Sequence, residues 1–227
     1  NLETAAGVRP LTAGTTLEER GMIRTAEGSA NIILPDGTRL TLGPRTSFDT
    51  RNWTLYSGEL YYESLIPMAQ GEMRKYAKRF EVRTPSFAMA VRGTKFLLTP
   101  EAVVLFDGEV VASTSAAAAA PAYPGETPGG LSAAVAPDGV LEYSKSGRPA
   151  AYLRRGSARL RARAASAPVQ VLVPNGVASA SSADWTLKVL PSGAAELTVQ
   201  AGAVTMTAHE NRLDAGALDR WWDAHYE

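Results

Sequence analysis

The sequence contains no cysteine in its 227 residues. This absence excludes disulfides, thiolate catalysis and zinc sites built on cysteine. Histidine is almost absent as well, with only His209 and His225 near the C-terminus. Two histidines in a terminal tail are too few to define a metal site, so they indicate surface side chains. We therefore expect neither a metal nor a cofactor.

An excess of charge is also lacking, because Lys+Arg and Asp+Glu both number 23. No overall electrostatic field draws such a chain to nucleic acid or to an anionic membrane, and we expect no nucleic-acid partner. No run of about 18 apolar residues is present, so the sequence predicts no membrane-spanning helix. Hydrophobic residues make up 45% of the chain, which is enough for a core in one or two domains.

Catalytic motifs are missing too. No glycine-rich loop opens a helix in a βαβ setting, and no serine lies in a G-x-S-x-G turn. The adjacent carboxylates Glu18 and Glu19 would point in opposite directions on a strand. We predict that the protein is not an enzyme. A hydrolase acting on wall polymer stays open as an alternative, and it would require two carboxylates facing each other at roughly 5–10 Å.

What the sequence does contain is a regular succession of short apolar runs. Within residues 80–111 these runs are separated by Pro85-Ser86, Arg92-Gly93-Thr94, Pro100-Glu101 and Asp107-Gly108. Runs this short and this rich in Val and Phe predict β-strands, with turns at each of these positions. The dipeptide Asp36-Gly37 between two alternating runs predicts a β-hairpin. The fold class is therefore all-β, in the form of a twisted solenoid-like stack or an open sandwich.

The second half of the chain repeats signals of the first half in the same order. The matched segments are Pro35–Gly37 with Pro137–Gly139, Leu55–Gly58 with Leu153–Gly156, Val82–Pro85 with Val171–Pro174, and Asp107–Val111 with Gln200–Val204. An ordered repeat at this scale indicates two copies of one β-unit. The Ala-, Pro- and Gly-rich stretch between them predicts a linker. The expected organisation is a β domain at 1–112, a linker at 113–131, a degenerate second unit at 132–212 and a C-terminal helix at 213–227.

The C-terminal segment differs from the rest of the chain. Asp214 is a candidate N-cap, and Leu218, Trp221 and Trp222 fall on one side of a helix. Two adjacent tryptophans on a short helix need to be covered, either by the second β-unit or by a partner. The sequence therefore predicts a short amphipathic helix with a partner-binding face.

Basic residues form two candidate contact surfaces. Arg159, Arg161 and Arg163 alternate, so all three share one face of a strand. Together with the neighbouring and first-unit cations they could hold an anionic polymer or a partner through charge-assisted hydrogen bonds. A solvated strand face with acidic neighbours is the alternative. The additional residues of these surfaces are Arg154, Arg155, Arg74, Lys75, Lys78 and Arg79.

The sequence contains the motifs T-P, V-x-G-T-x-F and G-x-V in this order. The residues that carry them are Thr84, Pro85, Gly93, Thr94, Phe96 and Gly108. With this order as its most specific part, the sequence resembles the FecR domain, an all-β extracytoplasmic module of bacteria. The resemblance covers residues 8–112, and residues 132–207 resemble a degenerate second copy.

The physical role expected for these motif residues is structural. Gly93 suits a bend that requires positive φ, Pro85 ends a strand, and Phe80 and Phe96 are core candidates. We expect them to specify the fold and to perform no chemistry.

The resemblance implies a non-enzymatic, exported protein of the periplasm or cell surface that binds an envelope protein or a cell-wall polymer. The alternative that it implies is the extracytoplasmic sensor portion of a FecR-type transmembrane anti-sigma regulator. In that case an anti-sigma segment and one membrane helix would lie upstream in the precursor. The sequence leaves the oligomeric state open.

Overall fold

A computed structural model describes residues 1–17, 20–64, 80–114, 130–144, 150–163 and 167–209. All regular structure in these residues is β-strand, which confirms the predicted all-β fold. The predicted C-terminal helix at 213–227 lies outside the described residues. The chain divides into two compact units, Asn1–Glu101 and Ala102–Glu227. The predicted linker at 113–131 falls almost entirely outside the described residues, so the domain scheme stays a prediction.

The first unit contains ten strands in its described part. They are β1 (Leu2–Thr4), β2 (Gly7–Arg9), β3 (Met22–Arg24), β4 (Ala30–Ile33), β5 (Arg39–Leu42), β6 (Ser47–Asp49), β7 (Thr54–Ser57), β8 (Leu60–Glu63), β9 (Phe80–Arg83) and β10 (Ala88–Leu98). The predicted hairpin at Asp36-Gly37 is confirmed, because β4 and β5 pair from Ala30 opposite Leu42 to Ile33 opposite Arg39. Gly37 has φ of 84°, as this turn requires.

The second unit contains eight strands in its described part. They are β11 (Val103–Thr114), β12 (Leu131–Val135), β13 (Val140–Tyr143), β14 (Ala150–Ala162), β15 (Val169–Val173), β16 (Gly176–Ala180), β17 (Ala183–Val189) and β18 (Ala195–Ala208). Side chains alternate between buried and more exposed positions along β18.

Long strands with one central glycine shape the second unit. The later residues of β14 pair with β17, whereas its first three pair with β15. In β18 the early residues pair with β17 and the last four with β16. The pairing therefore closes a circuit through β14, β17, β18, β16 and β15. Two sheet segments result, and β14 and β18 run through both, which is a sandwich with bent strands at its corners.

The bends are the point at which the sequence prediction was wrong. Arg92-Gly93-Thr94 and Asp107-Gly108 were expected to separate strands, but β10 and β11 continue through them. Gly93 and Gly108 have φ of 54° and 95°, and each bends its strand without ending it. In β10 the residues before the bend pair with β9 and those after it pair with β8. In β10, pairing on both sides of the glycine keeps the strand continuous through the bend.

A shared set of pairings recurs in the two halves of the chain. In the first unit these pairs are β5–β8, β6–β7, β7–β9, β9–β10 and β8–β10. Their counterparts are β12–β14, β13–β14, β14–β15, β15–β16 and β14–β17. The third pair is parallel in both sets. This recurrence supports the predicted duplication, which stays a prediction.

One of the four sequence matches behind that prediction is wrong in detail. Pro35–Gly37 forms the turn of a hairpin, as described above. Pro137–Gly139 instead connects β12 and β13, which pair side by side with successive parts of β14. By the recurring pairings, its counterpart in the first unit is the β5–β6 connection, residues 43–46.

Candidate interaction surface

Strand β14 carries the basic residues predicted to contact a partner. Arg159 donates two hydrogen bonds to the carboxylate of Asp184, from Nε to Oδ1 at 3.1 Å and from Nη2 to Oδ2 at 3.2 Å. Arg161 donates from Nη2 to Oδ2 of the same carboxylate at 2.8 Å. The two arginines therefore share one acidic partner, and they lie on one face as alternation on a strand requires.

Asp184 is almost completely buried, with 1% of its side chain exposed, whereas Arg159 is 42% exposed. Asp184 lies on β17 directly opposite Arg161 in the strand pairing. A buried carboxylate needs such charge-assisted hydrogen bonds, because desolvation of an isolated charge is very costly. The arrangement links β14 to β17, and it gives Arg159 and Arg161 an acidic partner inside the protein.

The other described basic residues of this predicted surface lie on β14 or directly after it. Arg154 pairs with Glu142 on β13, with its Nε 2.8 Å from Oε1, and its guanidinium lies 4.9 Å from the ring centroid of Tyr152. Arg155 on β14 and Arg163, which follows the strand, are exposed. The remaining predicted contact residues, Arg74, Lys75, Lys78, Arg79, Leu218, Trp221 and Trp222, lie outside the described residues.

The FecR-like motif residues occupy structural positions. Thr84 Oγ1 accepts hydrogen bonds from the backbone N–H groups of Ser86 and Phe87, both at 3.1 Å, in the turn that joins β9 to β10. Pro85 lies inside this turn. Phe96 is fully buried and Thr94 is 2% exposed. These contacts explain the local conformation of the turn.

Aromatic side chains of the first unit contact one another in a row. Phe96 stacks on Tyr62 with ring centroids 4.8 Å apart, and Tyr62 stacks on Phe80 at 5.2 Å. Trp53 meets the edge of Phe80 at 4.9 Å. Burial raises the pKa of the Tyr62 hydroxyl. Rings at these separations and angles are typical of core packing, so this row stabilises the fold.

Trp53 also has an unusual backbone, with φ of 55°. A bulky residue in this region is strained and is held there by its surroundings. The nearby Asp49 carboxylate accepts hydrogen bonds from Arg51, the shortest from Nη2 at 2.7 Å. These side-chain hydrogen bonds with Arg51 hold the pKa of Asp49 below its ordinary value, although burial acts in the opposite direction. The sequence carried no signal for this loop geometry.

His209 has Asp107 as a neighbour, with 3.9 Å between Nδ1 and Oδ1. Among the residues that the structure describes, no group of three or more candidate ligands could hold a metal ion. The second histidine, His225, lies outside this part of the chain. No helix in the described ranges is long and apolar enough to span a membrane.

Sequence reasoning also missed how the short strands of the second unit pair. In the described part of the chain, β12 and β13 each pair only with β14. Val135 on β12 and Tyr143 on β13 are both 42% exposed. Short apolar runs predict strands, but only the structure shows which strands they pair with.

Residues 22–111, which include the motif residues, match the family FecR protein. The predicted resemblance is confirmed over this range, which contains every residue of the T-P, V-x-G-T-x-F and G-x-V order. The FecR match begins at β3 and ends within β11, so it extends from the first compact unit into the second.

No curated protein matches the chain. Among solved structures, a candidate anti-sigma factor from Parabacteroides distasonis is similar, with 21% sequence identity and a TM-score of 0.33. The match covers 44% of this chain and 49% of that protein, so the chain spans about half the length of this relative.

Proposed function

We propose that this protein is a non-enzymatic module of the bacterial cell envelope that binds a protein partner or a wall polymer. The observation that carries the proposal is the FecR match over residues 22–111. Its location is the periplasm or the cell surface, in keeping with the extracytoplasmic character of that module. The protein acts by binding another molecule at its surface and not by catalysing a reaction in a cleft.

The geometry favours a protein partner over a polymer. Arg159 and Arg161 share the buried carboxylate of Asp184, so part of the basic surface is neutralised within the protein. Large apolar side chains are exposed on several strands, among them Ile33 at 70% and Tyr56 at 46%. Contacts with proteins use such side chains, whereas an anionic polymer would use the exposed Arg155 and Arg163.

Site-specific photo-crosslinking in cells tests the protein partner. A photoreactive residue in place of Tyr56, inside the FecR match, is expected to give one discrete adduct with another envelope protein. The same residue in place of Asp138, an exposed position in the second unit, is the control and should not give that adduct.

Co-sedimentation with purified cell wall tests the polymer. Wild type is compared with an Arg155→Gln/Arg163→Gln variant and with Arg9→Gln, which alters an exposed arginine in the first unit. Loss of sedimentation in the double variant alone would identify a wall polymer as the ligand. Neither an adduct at Tyr56 nor sedimentation with the wall would overturn the proposed function.

The second candidate function is the sensor portion of a FecR-type transmembrane anti-sigma regulator, which the same family match supports. It differs in what precedes Asn1 in the precursor. An anti-sigma segment followed by one membrane helix would favour the regulator, whereas a cleavable signal peptide alone would eliminate it. The gene sequence, together with mass spectrometry of the protein isolated from cells, distinguishes the two.

A further inference from the structure

Strands β11 and β18 have the same construction. Each contains one glycine with positive φ, Gly108 at 95° in β11 and Gly202 at 77° in β18. The two glycines are 94 residues apart in the chain, and this spacing assigns an equivalent in β18 to every residue of β11. Core positions then correspond to core positions, because three pairs of equivalents consist of residues that are 0% exposed. These pairs are Val103 with Leu197, Val110 with Val204, and Ala112 with Met206.

The two strands pair with each other in two segments, and in each segment one residue lies opposite its own equivalent. Val103 lies opposite Leu197 in the first segment, and Val111 lies opposite Thr205 in the second. Within each segment the number of the partner residue falls by one for each residue gained along β11. The strands therefore run in opposite directions in both segments.

The other pairs of the second segment are arranged symmetrically about Val111. Gly108 lies opposite Ala208, and Thr114 lies opposite Gly202. Because Ala208 is the equivalent of Thr114, these two pairs contain the same two positions with the strands exchanged. This is the register of two equivalent strands related by a two-fold axis, as in an isologous contact between subunits. Unrelated strands would have no reason to pair about a centre that their glycines define.

The two strands belong to different halves of the predicted duplication. The FecR match ends at residue 111, within β11, whereas β18 lies in the predicted second copy at 132–212. The spacing of the glycines differs by one residue from the sequence comparison, which aligned Gly108 with Ala201. The pairing thus joins the last strand of one predicted copy to the last strand of the other.

We propose that β11 and β18 are equivalent strands related by a two-fold axis, and that their pairing is a dimer contact between two FecR-type units held within one chain. The strand that fits this edge of β11 is another strand of the same type, and β18 supplies it here. The proposal does not depend on the function proposed above, because no other molecule takes part in this contact.

An exchange of core side chains across the axis tests the proposal. Val110 lies opposite Met206, and Ala112 lies opposite Val204, on the buried face of both strands. The equivalents Val110 and Val204 are identical, so Ala112→Met/Met206→Ala produces the mirror arrangement of the same four side chains. Two-fold related surroundings should accept this mirror arrangement.

Urea denaturation of the full chain gives the readout. Ala112→Met alone should lower the midpoint because it overfills the core, and Met206→Ala alone should lower it because it leaves a cavity. The double variant should recover most of the loss, since the two positions are diagonal neighbours on one face. A double variant whose losses simply add would overturn the proposal.

The matched control is the exchange Val110→Met/Met206→Val. It also conserves the total volume, but the two positions are direct neighbours and not equivalents. Its midpoint should therefore be lower than that of Ala112→Met/Met206→Ala. If direct neighbours exchange as well as the equivalents do, or better, the two-fold relation is wrong.

A milder variant decides the question if these exchanges prevent folding. Ala112→Val/Met206→Val makes all four side chains identical, which is the fully symmetric arrangement. Its midpoint should be at least as high as that of either single valine substitution, because the added and the removed volume offset each other across the axis. A midpoint below both single variants would overturn the proposal.

Discussion

Two glycines, Gly139 and Gly156, lie against each other where β14 bends. A Cβ atom added to Gly156 would lie 2.5 Å from the Cα of Gly139, a distance at which the backbone must shift. Gly156 also has φ of 72°, which disfavours any residue with a side chain. The residue is therefore constrained both by its own conformation and by its neighbour.

Replacement of Gly156 by alanine should destabilise the protein more than the backbone conformation alone explains. Gly193→Ala is the matched control, because Gly193 has φ of 83° and nothing within 4 Å of an added Cβ. We expect Gly193→Ala to lower the free energy of unfolding by about 1–2 kcal/mol. Gly156→Ala should add a further loss of about 1–3 kcal/mol for the clash. Urea denaturation of both variants measures the difference, and equal losses would contradict the contact with Gly139.

The Asp49 carboxylate gives the first unit a stabilisation that depends on pH. Its pKa is lower in the folded protein than in the unfolded chain, mainly because of the side-chain hydrogen bonds with Arg51. This contribution is present above the unfolded pKa of about 4 and is lost as the pH falls through the folded value. Arg51→Gln should therefore raise the pKa of Asp49 and lower stability at neutral pH.

NMR titration of the Asp49 carboxyl measures that pKa directly, and denaturation at two pH values measures the stability. The loss caused by Arg51→Gln should shrink in acid, because Asp49 is then protonated in both proteins. A matched control is Arg45→Gln, which removes an exposed ion pair with Glu27. A loss of the same size at both pH values would show that Arg51 acts through packing and not through this carboxylate.

At the scale of the element, β14 and β17 are joined by a charged contact as well as by their backbones. Asp184→Asn would leave the guanidinium groups of Arg159 and Arg161 beside a neutral, buried amide. Removing one partner of a buried ionic contact typically costs about 3–5 kcal/mol. We expect a loss of that order, measured by thermal or urea denaturation. Asp138→Asn, at an exposed position, should have almost no effect, and similar results for the two variants would contradict the role of Asp184.

The sequence could predict half of this contact. Alternation alone places Arg159 and Arg161 on one face, and the structure has them on the same carboxylate. Their partner is 23 residues beyond Arg161 in the chain, and no local pattern links the two positions. Which acidic residue meets an arginine across a sheet depends on strand register, and register is fixed by pairing between distant segments.

Gly93 and Gly108 show the same limit of prediction from the sequence. A glycine after an apolar run predicts positive φ, and Gly93 and Gly108 have it. Positive φ does not reveal whether the strand ends or bends, because the answer depends on which strands pair on either side. For β10 those partners are β9 and β8, which are reached from different parts of the chain. Sequence reasoning therefore located the bends correctly and assigned their consequence wrongly.

For the whole molecule, composition and turn chemistry were sufficient for the fold class. Frequent glycine and proline exclude long helices, and short alternating runs leave strands as the regular structure. The order of repeated signals indicated duplication, and the recurring pairings support it. The pairing of β12 and β13 with successive parts of β14 could not be predicted, because it joins segments that are distant in the sequence.

The passage of β14 and β18 through both sheet segments has a consequence for how the second unit opens. Each of these strands supplies hydrogen bonds to one segment with its first residues and to the other with its last. When backbone hydrogen bonds break in one segment, the strands that are disturbed also form part of the other segment. We therefore expect the two sheet segments of the second unit to unfold cooperatively, in a single step.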